Sequence, residues 1–385
     1  MTVATVTLGC RLNFAESEAI AAQAPADEDW VIVNSCAVTN EAVRQTRQAI
    51  RRAHRHRPSA NILVTGCAAE LEPAAFEALA GVARVVGNAG KLNAFGARDV
   101  MAPAALVANV KSFVAVQTGC DHRCTFCSIW QARGPSVSLL YEAIRDAVAR
   151  AIDRGAREIV LTGVDITDYA GGLGHLCQQL LAAEPRLQRL RLSSLDSIEI
   201  DDALFELIAG EPRLMPHFHL SLQSGDDMIL KRMKRRHSRA DAVGTVARIK
   251  SARPDSTIGA DLIAGFPTET EDMALNTLDL LDDCDIIAAH IFPFSPRPDT
   301  PASRMPQQPR EIIKARAARL RERAAERRLR WFDSLVGSTQ PVLVEGEHVG
   351  HTDNFAPVAI AGQRGQAGLA RITGRDEARL TAAWA

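Results

Sequence analysis

Three cysteines, Cys120, Cys124 and Cys127, form a Cys-x3-Cys-x2-Cys array within "GCDHRCTFC". Thiolates hold zinc or iron–sulfur clusters. A structural zinc site closes with four protein ligands, and this array offers three. His122 lies inside the array, where it and Cys124 would crowd one another, and the next histidine is His175. A four-iron cubane suits the deficit better, because its fourth iron stays open to a small ligand. An open iron that chelates an amino and a carboxylate group is a catalytic device.

A second triad is spread out. Cys10, Cys36 and Cys67 each follow a β-branched run, "TVATVTLG", "WVIVNS" and "NILVTG", about thirty residues apart. In an open parallel sheet the carboxyl ends of the strands share one edge, where ligands bind. The spacing therefore predicts convergence of the three thiols. The remaining cysteines, Cys177 and Cys284, lie in apolar runs and read as core thiols.

The elements that must position these groups follow from periodicity. Residues 1–105 alternate strands with helices, including "NFAESEAIAAQA", with Asn13 as its cap, and the basic "EAVRQTRQAIRRAHRH". Such alternation implies an open parallel α/β sheet. A Pro- and Ala-rich stretch, "ARDVMAPAALVANVKS", separates it from residues 112–305, where six strand–helix units imply a partial (β/α)6 barrel. Residues 306–335 read as a basic linking helix, its arginines partly paired with Glu311, Glu322 and Glu326. Residues 336–385 read as a small all-β module.

The totals agree. The chain has 385 residues, is 46% hydrophobic, and carries a formal net charge of −1, which argues against a protein that coats nucleic acid over its whole surface. No apolar run is long enough to span a membrane. The opening residues lack a basic segment followed by an apolar one, so a cytoplasmic, reducing location is expected for the eight cysteines.

The array Cys120-x3-Cys124-x2-Cys127, with Phe126 before the last cysteine, resembles the signature of radical S-adenosylmethionine (SAM) enzymes. With Cys10, Cys36 and Cys67, and with "LTGVDITDYAGG", "HLSLQSGDDMILKRMKRRHS", "IGADLIAGFPTETEDM" and "FPFSPRPDTPASRMP", the chain resembles the radical SAM methylthiotransferases over nearly its whole length. The resemblance implies two [4Fe-4S] clusters, one on each triad, with SAM on the open iron of the first. It also implies a TRAM-like terminal module, an unidentified sulfur donor and a flavodoxin- or ferredoxin-like electron donor. Arg11 and Leu12 after the first cysteine point to the branch acting on N6-threonylcarbamoyladenosine in tRNA. Isopentenyladenosine in tRNA and an aspartate of a ribosomal protein stand as alternatives, and a zinc-stabilised, non-catalytic RNA-binding protein is the alternative of another class. After Cys127 the family usually continues Ile-Ile-Pro-Tyr, whereas this chain has Ser128, Ile129, Trp130 and Gln131.

Further candidates follow from position. Gly163, Asp165, Ser194, Gln223 and Asp261 stand in or beside strand ends and are expected to face SAM or substrate. Arg44, Arg47 and Arg51 share one helix face and form a candidate phosphate stripe. Arg235 and Arg236 suit RNA phosphate or the SAM carboxylate.

Overall fold

The computed structural model describes residues 3–95 and 110–385. Most of the Pro- and Ala-rich connection lies outside the described residues. The N-terminal unit is a parallel sheet in the order β1 (Val3–Thr7), β2 (Trp30–Ser35), β3 (Asn61–Gly66), β4 (Val82–Val85). Its strands are in register from Val3 opposite Trp30 and Trp30 opposite Asn61. Val31, Val33, Ile62 and Val64 pack on one side with Val43 and Ile50 of the basic helix, Asn40–His56. Thr39, not an acidic residue, caps that helix through its hydroxyl, which accepts from the Ala42 N–H.

Asn13 is not the cap expected of it. The helix begins earlier, spanning Arg11–Ala21 with Cys10 at the capping position. Asn13 is buried inside it and donates to the Leu8 and Ser35 carbonyls, at 2.8 and 3.0 Å. A short polar side chain serves here as a strut between two loops, a role that local sequence does not signal.

The second unit opens with β5 (Lys111–Ala115), followed by an antiparallel pair, β6 (Gln117–Thr118) and β7 (Val137–Ser138). Then come β8 (Glu158–Thr162), β9 (Leu190–Leu192), β10 (His217–Gln223), β11 (Thr257–Ala264) and β12 (Ile286–Pro293). The parallel sheets β5-β8-β9 and β10-β11-β12 are joined by bridges from Leu190 to Leu214 and from Leu195 to Leu220, giving one six-stranded arc. Alternate side chains on a strand face opposite sides. On β10, Phe218, Leu220 and Leu222 enter the apolar core under the helices, which leaves His217, His219, Ser221 and Gln223 on the concave face. The concave face is thus polar.

The helix Arg310–Leu335 lies along the outside of this arc. Its arginines pair mainly with the barrel and not with their own helix. Arg316 bonds Glu269 at 2.8 Å, Arg319 bonds Glu271 at 2.6 Å and Arg327 bonds Asp285 at 2.6 Å. Of the expected internal partners, Glu326 alone is engaged, by Arg323 at 3.7 Å. The last unit is a closed barrel in the order β13 (Thr339–Gly346), β14 (Val349–Thr352), β15 (Pro357–Ala359), β17 (Leu380–Trp384), β16 (Ala367–Arg375).

The turn between β14 and β15 plugs the amino-terminal end of the six-stranded arc. Phe355 stacks on His217, with ring centroids 5.0 Å apart, and under the Arg191 guanidinium at 4.6 Å. The Asn354 carbonyl accepts from Thr257 Oγ1 at 2.7 Å, and Glu345 bonds Lys111 at 2.8 Å. At the centre lies Glu158, buried and bonded to Arg189 and Arg191 at 3.0 Å each and to Lys111 at 3.2 Å. Burial alone would raise its carboxyl, but Arg191 and Lys111 hold it far below the usual range. The same balance of burial against His351 and Lys111 brings Glu345 down to about 2.

A carboxylate depressed by folding contributes stability that is present above its unfolded value and is lost as pH falls through its folded one. Acidification from about pH 4.5 toward 2 is therefore expected to release the terminal module, seen as rising susceptibility to an acid protease. Glu158→Gln leaves three cations facing a neutral amide and is expected to cost about 3–5 kcal/mol in urea unfolding. Wild-type stability of that variant would show that the network is not what holds the plug.

Candidate cluster and cofactor site

The Cys120–Cys127 loop leaves the carboxyl end of the arc after β6. Gly119 makes the departure possible: at φ +77° it passes so close to Pro135 that a Cβ would collide with the Pro135 carbonyl. The Thr125 N–H donates to Met233 O at 3.0 Å, and the Ala302 N–H donates to Thr125 O at 2.9 Å. Thr125 Oγ1 adds a bond to Arg232 O at 2.8 Å. The loop is thus anchored to a helix end and to the turn after β12.

The thiols of Cys120, Cys124 and Cys127 open on one shared cleft. Asp165, Ser194 and Gln223 line it, with Ser221, Asp196, His122 and Arg235. Gly163 does not. It lies where a Cβ would meet Gln117, whose Oε1 accepts from the Val164 and Asp165 N–H groups at 3.0 and 2.9 Å. Gly163 therefore permits the turn that presents Asp165, and Gln117 fixes it. Asp261 does not line the cleft either. It accepts from His219 at 2.9 Å and lies 3.1 Å from His290 Nδ1, lower in the arc.

Arg235 is corrected as an RNA-facing residue. It is buried, bonds Asp196 and the Ser221 carbonyl at 2.9 Å each, and reaches Cys124 Sγ at 3.7 Å. Arg236 pairs with Glu199 at the mouth of the cleft. His122 stands among Asp165, Asp196 and Glu199, at 3.1 to 3.6 Å, and its bond with Glu199 holds the imidazole above its ordinary value. Burial raises the Asp165 carboxyl. Burial also pushes the Cys120 thiol to about 11 and the Cys127 thiol to about 12. Sequence reasoning missed His122 and Asp196 as parts of the cleft. Asp196 has only its place after a strand to signal it.

The second triad sits at the carboxyl edge of the N-terminal sheet. Gly9, at φ +91°, lets the loop come so close that a Cβ there would stand 2.7 Å from Cys36 Sγ. Burial brings Cys36 to about 11 and raises Cys10, and Cys10, Cys36 and Cys67 each lie in the field of the others. One residue joins this triad to the first. Arg133, six positions after Cys127, uses all five of its N–H donors. Nε bonds Cys67 Sγ at 3.3 Å, Nη1 bonds Glu16 at 2.8 Å and Thr118 at 3.2 Å, and Nη2 bonds Asn13 at 2.6 Å and Glu16 at 3.0 Å. Lys91 supports Glu16 from the other side. The unusual residues after Cys127 belong to the same junction: Ile129 and Ala132 pack into the N-terminal core beside Cys67, and the Asn88 amide donates to Ala132 O at 2.6 Å. Trp130 stacks with Arg123 at 5.2 Å.

Among the described residues, Cys120, His122 and Asp165 each bring a ligand atom within 4.8 Å of the others, whereas the three thiols of neither triad are grouped in this way.

The comparisons agree with this geometry. The Radical SAM superfamily matches residues 114–281, and the Uncharacterized protein family UPF0004 matches residues 2–87. Threonylcarbamoyladenosine tRNA methylthiotransferase MtaB of Rickettsia prowazekii (strain Madrid E) is 42% identical over 92% of this chain and 90% of its own length. The chain belongs to the radical SAM methylthiotransferases. MtaB of Thermotoga maritima is 33% identical, over 89% of this chain and 86% of its own length. The tRNA-2-methylthio-N(6)-dimethylallyladenosine synthase of Methylococcus capsulatus is 30% identical, over 92% of this chain and 89% of its own length. The fold also matches a radical SAM methyltransferase, TsrM from Kitasatospora setae, with a TM-score of 0.56 at 15% identity, over 72% of this chain and 67% of that one. As a member of this family the chain is an enzyme, a transferase, with a [4Fe-4S] cluster and SAM as its implied cofactors. Family membership sets aside the non-catalytic zinc protein.

Removing Arg133 leaves buried Glu16 to Lys91 alone and unties the two triads. Arg133→Met is expected to cost about 3–5 kcal/mol in urea unfolding. Arg133→Lys should lose less, since it keeps the charge and gives up the planar fork. A loss below about 1 kcal/mol for the Met variant, the range of an exposed pair, would refute the role of Arg133 as the junction.

Proposed function

We propose that this enzyme converts N6-threonylcarbamoyladenosine, next to the anticodon of tRNA, into its 2-methylthio derivative. The observation that carries this reading is the second thiol triad, joined through Arg133 to the first. One triad accounts for radical formation, and a second accounts for sulfur delivery. The named activity of the relatives with the higher identities supplies the substrate. The transformation replaces a C–H bond at C2 by C–S–CH3.

In this reading Cys120, Cys124 and Cys127 hold one [4Fe-4S] cluster, and Cys10, Cys36 and Cys67 hold a second. When bound, the first cluster and SAM supply an electron and a carbon radical. The chain's own residues do the positioning. Asp165, Ser194 and Gln223 offer hydrogen-bond partners to the cofactor, and Arg235, facing the cleft beside Cys124, suits its carboxylate. The stripe on the helix Asn40–His56 suits the RNA backbone. Arg51 is exposed, whereas Arg44 pairs with Glu41 and Arg47 with Glu72, both near the surface, where such pairs are weak enough to exchange for phosphate. Among the described residues no helix is long and apolar enough to cross a membrane. The electron donor of flavodoxin or ferredoxin type and the sulfur donor are partners this chemistry requires.

Replacing Cys10, Cys36 and Cys67 together by Ala is expected to lower iron from about eight to about four per chain. The variant should still form 5′-deoxyadenosine and should insert no sulfur. Undiminished iron content would overturn the second cluster. Mass spectrometry of tRNA nucleosides from a strain lacking the gene tests the substrate: the 2-methylthio group should vanish from threonylcarbamoyladenosine alone. Its loss from isopentenyladenosine instead would give the reaction to the sister branch.

A further inference from the structure

The lower end of the six-stranded arc is crowded with cations, and all but one have a bonded carboxylate. Lys111 bonds Glu158 and Glu345, Arg191 bonds Glu158, and Arg189 bonds Glu158 and Asp353. Arg11 is the exception. It follows Cys10 directly and is half-buried, yet among the described residues it makes no hydrogen bond and no ion pair. Its guanidinium rests over the Phe355 ring at 5.9 Å. Glu158 and Glu345 lie within its electrostatic field, but both are already bonded to other cations. A half-buried guanidinium with no protein carboxylate bonded to it suits a planar anion, and a carboxylate fits its fork bidentately.

We propose that Arg11 binds the carboxylate of the threonylcarbamoyl arm of the substrate base and so selects this nucleoside over one with an apolar arm. The proposal rests on the function inferred above. Geometry and chemistry meet at this residue. Arg11 directly follows Cys10 of the second triad in the chain, and its guanidinium reaches over Phe355 at the floor of the arc. In the nucleoside, the carbamoyl N–H can close a hydrogen-bonded ring onto N1 of the base. That bond swings the threonyl arm toward the edge that carries C2, the carbon receiving sulfur. An isopentenyl arm offers the guanidinium nothing in return for the water it gives up.

The test compares binding of two anticodon stem-loop RNAs, one with threonylcarbamoyladenosine and one with unmodified adenosine, to cluster-loaded protein by fluorescence anisotropy. Wild type should favour the modified RNA. Arg11→Gln should weaken that RNA by about tenfold to a hundredfold, the worth of a hydrogen-bonded charge, and leave the unmodified RNA within about twofold. Arg11→Lys should recover part of the loss. Iron content of each variant, measured in the same samples, shows that the neighbouring cluster is loaded. A third RNA, with the threonyl carboxylate as its methyl ester, asks the same question of unaltered protein: it should bind wild type as weakly as unmodified RNA does. Undiminished preference in Arg11→Gln, or indifference of wild type to the ester, would overturn the role of Arg11 while leaving the function intact. A wild type that instead prefers an isopentenyladenosine stem-loop would overturn both.

Discussion

A single buried guanidinium decides how the two halves of this enzyme meet. Arg133 belongs to the loop that carries the first thiol triad, yet its five donors end on Glu16, Asn13, Thr118 and the sulfur of Cys67. A buried charge is tolerated only when it is paired and fully bonded. That requirement fixes the distance and the angle between the sheet and the barrel more tightly than apolar contact would. Burial would raise the Glu16 carboxyl, but Arg133 and Lys91 hold it below its ordinary range, so the pair stays charged. The placement of Cys67 relative to Cys127 thus follows from one side chain's need for partners.

The rest of the site can be read outward from that junction. The concave face of the arc is polar because it must admit a charged cofactor and a polar base. Stability is therefore carried elsewhere, by the apolar shell beneath the helices and by the ion network around Glu158. The terminal barrel closes the lower end with Phe355, and the long helix reaches it by bonding its arginines to acids in the connections of the six-stranded arc. An arginine-rich helix that looks ready for nucleic acid is, for the most part, already neutralised by its own protein. The exposed helix Asn40–His56 keeps more of its charge available.

The sequence by itself determined the two thiol triads and the alternation of strands and helices that positions them. Cys120, Cys124 and Cys127 fall within eight residues, so they share one loop whatever the rest of the chain does. Cys10, Cys36 and Cys67 each end a strand of a parallel sheet, and such ends share an edge by construction. Alternation along "HFHLSLQ" likewise assigns His219, Ser221 and Gln223 to one face.

What only the tertiary structure decided is which charge meets which. Asn13 looked like a helix cap and is a strut; Arg235 looked suited to RNA and faces the thiols; Asp261 looked like a strand-end group and lies within β11, below the cleft. Arg133 carried no local signal, and Arg11 signalled the branch of the family but not the place of its guanidinium over Phe355. Hydrogen bonds and ion pairs act over a few ångströms, while their partners stand up to a hundred or more residues apart in the chain. Periodicity reports which face a side chain occupies, and only the crossovers of the folded chain report what waits on the other side.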